Sequence, residues 1–386
     1  MTVNELIAAL ESIAPLAAAE PWDRVGLHVG SGSHPLKGPV LVTIDLTERV
    51  LAEAIGAGCS AVIAYHPPIW SPLDRLTDAT PHQRIVRGAI EAGIAIYSPH
   101  TALDAAAGGM TEWLCEGLSA PAGEATEGAI HGDCRALDPL SRSHPDRQVK
   151  IVTFVPAEAL DRVRAALGTA GAGGMGNYKL CSFASPGTGT FLPQEGAHPT
   201  IGKIGSLSKV EEHRLEMVCS RRQLPLAIET LREFHPYEEP AFEVIEVAAV
   251  PERRVGSGRR LMLDQPATVA ELVNRLKAHL GASSRIRLGT PWDDEDRLVE
   301  VLGVVCGAGE SMFDKARAEG CEMFITGEMK YHSVLAALHA GSGVILAGHT
   351  NTERGYLPRL ARRLSDMLPG VEFKVSELDR DLLKVF

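Results

Sequence analysis

Two short segments near opposite ends of the chain carry the same chemistry. IYSPHTALDAA holds His100-Thr101-x-x-Asp104, and LAGHTNTERGY holds His349-Thr350-x-x-Glu353. Each follows a short apolar run, and each sets a histidine four residues ahead of a carboxylate. On the first turn of a helix that spacing brings both side chains to one face. Imidazole nitrogen mixed with carboxylate oxygen is the donor set of a borderline or hard divalent cation such as zinc, iron or manganese. A pattern that occurs twice in similar surroundings implies one shared site assembled from two halves of the chain.

Further candidates cluster near the same kind of position. His66 ends the apolar run AVIAY and precedes Pro67-Pro68, which stop both helix and strand. Its register in the duplication described next makes it a ligand candidate beside Asp104, His349 and Glu353. For Asp104 the competing role is a helix cap. His100 has three readings of equal standing: a ligand, a group that orients one, or an imidazole satisfied within the core. TGEMKYH brings Glu328, Lys330 and His332 to another such end. Lys330 could neutralise an anionic substrate and His332 could move protons, or both could be solvent-facing side chains. Gly171-x-Gly173-x-x-Gly176 has the dinucleotide spacing but follows a helix instead of a strand, so it reads as a turn. The chain has no Gly-x-Ser-x-Gly elbow.

The elements that must position these residues repeat. Aligning Gly58-Cys59 on Gly320-Cys321 superimposes residues 42 to 70 on 303 to 332, strand on strand and helix on helix, and places His66 on Glu328. Each copy continues through a helix to a third strand, GIAIYSPHT or SGVILAGHT. Strands alternating with helices predict βαβ units, parallel sheets and a site at the carboxyl ends of the strands. Residues 119 to 148 are rich in Gly, Pro, Ser and Ala and predict loops and linker. VKIVTFVP, AEALDRVRAALGTAG, HRLEMVCSRRQL, PLAIETLREFHP and FEVIEVAAV then predict strand, helix, strand, helix and strand, a ferredoxin-like split βαβ unit. The expected architecture is an α/β core of duplicated βαβ units, residues 1–145 and 251–386, around an inserted α+β domain at 149–250. Thr2 with Glu5 and Thr268 with Glu271 are spaced as capping boxes at helix starts.

Bulk properties narrow the function classes. With 386 residues, 45% hydrophobic and 23% charged, the chain is an ordinary globular protein of more than one domain. A net charge of -11 argues against nucleic acid or an anionic membrane as partner. Arg253, Arg254, Arg259 and Arg260 read as a solvated linker face, and Asp293-Asp294-Glu295-Asp296 as a polar turn. The 7 cysteines are dispersed with no C-x-x-C pair, as expected of reduced thiols in the cytoplasm. No apolar stretch reaches the ~18 residues of a membrane span, and the N-terminus lacks a basic leader.

At these residues the chain resembles the Nif-three-like dinuclear-metal family, also described as GTP cyclohydrolase 1 type 2 homologues. PWDRVGLHVGS, YHPPIW, SPHTALDAAAGG, TGEMKYH and GHTNTERGYL match its ordered motifs across the whole length. GNYKLCSFASPGTGTFLPQEGAHPTIGKIG and HPYEEPAFEV resemble the CutA-like, PII-like insertion of longer members. The resemblance implies a two-metal site in which Glu353 bridges, with His66 and Asp104 on one ion and His349 on the other. It implies a homohexameric toroid of trimers and a metal-dependent hydrolase acting on a nucleotide or related heterocycle. The alternative is a non-enzymatic metal-handling or regulatory hexamer sensing a small ligand or partner through the insertion. The chain departs from the pattern at Tyr65, where many members have a histidine, and at Glu328, where Asp is usual. Tyr65, His100 or His332 could then complete the second position, or one ion could suffice.

Overall fold

Short apolar runs buried on both faces belong to the interior of parallel sheets. Val40–Thr43, Ala61–Ala64, Ala95–Ser98, Met323–Thr326 and Gly343–Leu346 are such runs, each buried at every position. A computed structural model describes residues 1–142, 145–281, 285–294 and 296–383. Glu295 of the acidic run and residues 143–144 of the expected linker lie outside the described residues.

The first sheet runs Gly26–Val29, Ala95–Ser98, Ala61–Ala64, Val40–Thr43, Phe373–Val375, with Gly26–Val29 antiparallel and the rest parallel. The second runs Arg287–Gly289, Gly343–Leu346, Met323–Thr326, Leu298–Val304, Val250–Thr268, Gly132–Arg142. Its three central strands are parallel and Arg287–Gly289 is again an antiparallel edge. The repeat read from the sequence is thus a shared motif, an antiparallel edge strand beside three parallel strands; the first sheet extends it with parallel Phe373–Val375 and the second with antiparallel Val250–Thr268 and then Gly132–Arg142.

One hydrophobic core collects side chains from both sheets and from helices Val3–Ile13, Met110–Ser119, Val269–Leu280 and Leu357–Met367. Met110–Ser119 is buried along its whole length, including Glu112 and Glu116. A buried carboxylate needs a charged or hydrogen-bonding partner. Arg259, fully buried, donates to Glu112 at 3.2 Å, and Arg359 donates to Glu116 at 2.9 Å. Both expected positions start helices: Thr2 and Glu5 form the full box, with Thr2 N donating to Glu5 Oε2 at 2.6 Å, whereas Thr268 supplies only the N-cap, its Oγ1 accepting from Glu271 N at 3.2 Å, because the Glu271 carboxylate pairs with Arg275.

Residues 1–140 and 252–386 form one compact unit and 141–251 another. The second unit is an antiparallel sheet ordered Phe183–Phe191, Ser208–Cys219, Val149–Pro156, Phe242–Glu246, with helices Leu160–Thr169 and Leu224–Phe234. In chain order this is β-α-β-β-α-β, the split βαβ pattern. Three expectations need correction. Gly132–Arg142 is a strand, not linker: it pairs at the edge of the second sheet, where Pro139 is tolerated. Arg259 is not on a solvated face: it is fully buried, where its guanidinium neutralises Glu112. Phe183–Phe191, to which the sequence pattern assigns no element, pairs with Ser208–Cys219 along its whole length. Gly171, Gly173 and Gly176 lie in the turns after Leu160–Thr169, at φ 93, 77 and 59.

Candidate metal centre

The parallel strands of both sheets end in polar residues. Two positions past Thr43, Ala64 and Ser98 stand Asp45, His66 and His100. In the other copy Cys306 and Glu328 stand two positions past Val304 and Thr326, and His349 three past Leu346. Glu353 is carried by the short helix Asn351–Arg354. Strand ends at the carboxyl edge of a parallel sheet are where α/β folds gather their chemistry.

His66, His349 and Glu353 come together, with a ligand atom from each lying within 4.8 Å of the others. His66 Nε2 is 3.6 Å from Glu353 Oε2, and His349 Nε2 is 3.3 Å from Glu353 Oε1. The opposite nitrogen of each imidazole is engaged: His66 Nδ1 with Asp45 Oδ1 at 2.9 Å, and His349 Nδ1 with Glu328 Oε1 at 3.0 Å. His100 repeats the arrangement, Nδ1 against Asp23 Oδ1 at 2.8 Å. A carboxylate that takes the Nδ1–H leaves the Nε2 lone pair available, which is how ligand histidines are oriented. Asp23 also accepts from the Thr101 amide at 3.1 Å and from its hydroxyl. This clamp sustains His100 at φ 26, a conformation non-glycine residues seldom adopt.

Glu353 is 2% exposed, and its Oε2 has no hydrogen-bond partner among the described residues. An orphaned carboxylate oxygen between two imidazoles fits a cation that all three would share. Burial opposes the charge on Glu353, but the neighbouring imidazoles of His349 and His66 outweigh it and hold its pKa down. Burial likewise opposes a charge on His66, yet Asp45 and Glu353 raise its pKa to about 10. His349 rises to about 9, through Glu353 first and Glu328 as well, against burial.

The other sequence candidates fall differently. Asp104 lines the same cavity but stands outside the three-residue cluster, accepting a hydrogen bond from Tyr65 Oη at 2.6 Å. Burial raises its pKa to about 6. Tyr65 is 2% exposed, and burial together with Asp104 holds its phenol well above its ordinary range. The rings of Tyr65 and His100 approach to 5.4 Å between centroids, edge to face. Lys330 and His332 are exposed and do not line the cavity. Glu328 touches His349 and not the cluster's centre. The sequence reading missed Asp23 and Asp45; Asp45 shares the strand-end offset of His66 and Glu328, and that offset was the available signal. The cavity measures about 670 Å³ and is also lined by Trp22, Trp70, Cys306 and Lys315.

Fold and cluster together define a duplicated α/β protein with a histidine–carboxylate site at its strand ends. The chain belongs to the Duf34/NIF3 (NGG1p interacting factor 3) family, whose model matches residues 1–381. The GTP cyclohydrolase 1 type 2 homolog of Bacillus subtilis (strain 168) is 33% identical over 379 residues, covering 97% of this chain and 96% of that one. NIF3-like protein 1 of Homo sapiens is 32% identical over 388 residues, covering 100% and 93%. The crystal structure of a Bacillus cereus protein related to NIF3 shares 30% identity and a TM-score of 0.63, covering 100% of this chain and 99% of that one.

Proposed function

We propose that this protein binds one or two divalent metal ions through His66, His349 and Glu353, with Asp104 alongside, and is a metal-dependent hydrolase of a nucleotide or related heterocycle. The observation that carries the reading is the buried Glu353 carboxylate set between two imidazoles whose far nitrogens are already engaged by Asp45 and Glu328. A bound divalent ion would supply Lewis acidity and a water ionised near neutral pH. Asp45 and Glu328 orient the two imidazoles, and Glu353 balances their charge. His100, held at Nδ1 by Asp23, keeps Nε2 to accept or return a proton in the cavity. The name of the Bacillus subtilis relative makes GTP the first substrate to try.

The test is elemental analysis of protein reconstituted with zinc, manganese or iron, together with nucleotide turnover. Metal and turnover should both be lost in Glu353→Ala. Full metal content in that variant would remove the assignment. Retained metal with no turnover of any nucleotide favours a second reading, a metal-handling or regulatory role. That reading is supported by a cavity of about 840 Å³ in the second unit, lined by Phe154, Phe191, Arg214, Tyr237 and the buried Glu212. A cytoplasmic homohexamer, a toroid built from trimers, completes the proposal. Its 7 free cysteines suit a reducing compartment, and light scattering against the chain mass of 41.3 kDa tests the assembly.

A further inference from the structure

Large apolar side chains left half in water on a rigid backbone, at the mouth of a polar cavity, are a recognition feature. Trp22 and Trp70 answer that description. They are 56% and 50% exposed, both line the cavity that holds His66, His349 and Glu353, and their ring centroids lie 5.8 Å apart. Neither is on a loose tip. Trp22 occupies the third position of a turn closed by Asp23 N donating to Glu20 O at 3.0 Å, with Pro21 ahead of it setting the turn. Thr101 pins that turn at both ends: its Oγ1 accepts from Glu20 N at 3.0 Å, and its amide donates to Asp23 at 3.1 Å. Trp70 follows Pro67-Pro68 and Ile69, and Ile69 packs into the core beside the first sheet.

We propose that Trp22 and Trp70 form an aromatic subsite at the mouth of this cavity that takes the flat ring of a nitrogen heterocycle. The inference rests on reading the cavity as a site for a heterocycle, and it names the side chains that would take the ring. The indoles are inclined at 55°, so a planar ring stacked on one lies tilted against the other. Offset-stacked and edge-to-face pairs are the favourable arrangements of aromatic quadrupoles. His100 stands edge-on to both indoles, at 74° to Trp22 and 80° to Trp70, and closes the corner on the cluster side. Ser311, Ser257, which donates to Glu20, and the Lys315–Asp138 ion pair make the rest of the lining polar, which suits ring nitrogens, carbonyls or an attached ribose and not a bare hydrocarbon. A volume of about 670 Å³ is ample for a nucleoside-sized molecule.

The experiment is calorimetric titration of the full chain with guanosine and cytidine, against ribose 5-phosphate and tetramethylammonium, with metal content measured on every preparation. Both nucleosides should bind, guanosine the tighter for its larger ring, and the two controls should not. Trp22→Ala and Trp70→Ala should each raise Kd on the order of tenfold, as loss of one stacking partner implies. Trp22→Phe should recover most of the loss, and Tyr331→Ala, an exposed aromatic outside the cavity, should change nothing. Metal content should be equal in all variants. The subsite is overturned if neither nucleoside binds, if the Trp→Ala variants bind as wild type does, or if they lose metal as well. Indole-dependent binding of ribose 5-phosphate or tetramethylammonium alone would overturn the heterocycle assignment. Indole-dependent nucleoside binding by protein that cannot be loaded with metal would keep the subsite and defeat the metal reading.

Discussion

Tyr65 donates its phenolic hydrogen to Asp104 Oδ1 at 2.6 Å, deep in the cavity. The phenol is neutral, because burial and the adjacent carboxylate both oppose its ionisation. It therefore serves as a donor that ties up one lone pair of Asp104, and it is a poor metal ligand in that state. Tyr65→His replaces it with a good one. Under limiting metal the variant should hold more ions per chain than wild type, approaching two, and should resist a chelator longer. That advantage should fade as pH falls through ~6.5 and the new imidazole protonates. Tyr65→Phe should cost ~1–3 kcal/mol in urea unfolding, since Asp104 loses its donor. Equal stoichiometry and chelator resistance in wild type and Tyr65→His would mean that Tyr65 only packs beside the site.

The carboxylates behind the imidazoles should matter nearly as much as the ligands. Asp45 accepts from His66 Nδ1 at 2.9 Å and fixes which nitrogen faces Glu353. Removing such a partner typically weakens metal binding by roughly 10- to 100-fold. Asp45→Ala should show that loss in a competition titration with a metal indicator while far-ultraviolet dichroism stays that of wild type. Wild-type affinity in Asp45→Ala would mean that His66 is not a ligand.

Much of this was legible in the residues, and the remainder was hidden for physical reasons. The repeat was visible because buried parallel strands are written as apolar runs, and their ends as abrupt polar residues. His66, His349 and Glu353 were reachable through that register. Phe183–Phe191 was not, because FASPGTGTF holds turn formers and owes its extended form to pairing with Ser208–Cys219. Asp23 was not, because it lies in a turn 77 residues from His100, and only the folded chain joins them. Lys330 and His332 looked functional by proximity in sequence, but the helix Tyr331–His339 begins immediately after Lys330, and both side chains end up exposed. Chain neighbours of a strand end do not all share its cavity.

Gly307 is a second residue whose role appears only in the fold. Its φ is 59, and a Cβ there would come within 2.6 Å of Glu353 Oε1 and 3.3 Å of His349 Nε2. A methyl group at this position is both strained and aimed at two members of the cluster. Gly307→Ala should reduce bound metal at least as much as loss of one ligand, whereas Gly320→Ala, also at positive φ but with open space around it, should leave metal unchanged. Both variants pay a backbone cost of the same kind, so the contrast isolates the clash. Equal metal content in the two would show that the cluster can shift to admit the methyl.

His279 sets a pH limit away from the candidate site. It lies in the last turn of the helix Val269–Leu280 with its ring 4.5 Å from that of Trp113, and its Nε2 is buried without a hydrogen-bond partner among the described residues. Burial, then the positive charge of Arg359, lower its pKa to about 4, although Glu116 pairs with that arginine. In the unfolded chain the same imidazole titrates near ~6.5. Between those values the unfolded state binds a proton that the native state refuses, so this residue's contribution falls as pH drops from ~6.5 toward 4 and levels off below. His279→Leu keeps an apolar contact with Trp113 and removes the titration. Its urea midpoint should decline less steeply than that of wild type across this window, by at most the slope of one proton, and the two curves should run parallel above pH ~7.5. Carboxylates such as Glu112, whose pKa is lowered by Arg254 and Arg259 against its burial, add their own acid loss to both proteins and cancel in the difference. Parallel curves all the way from pH 7.5 to 4 would show that His279 is protonated in the native state, and that its ring is not shielded as the contact with Trp113 implies.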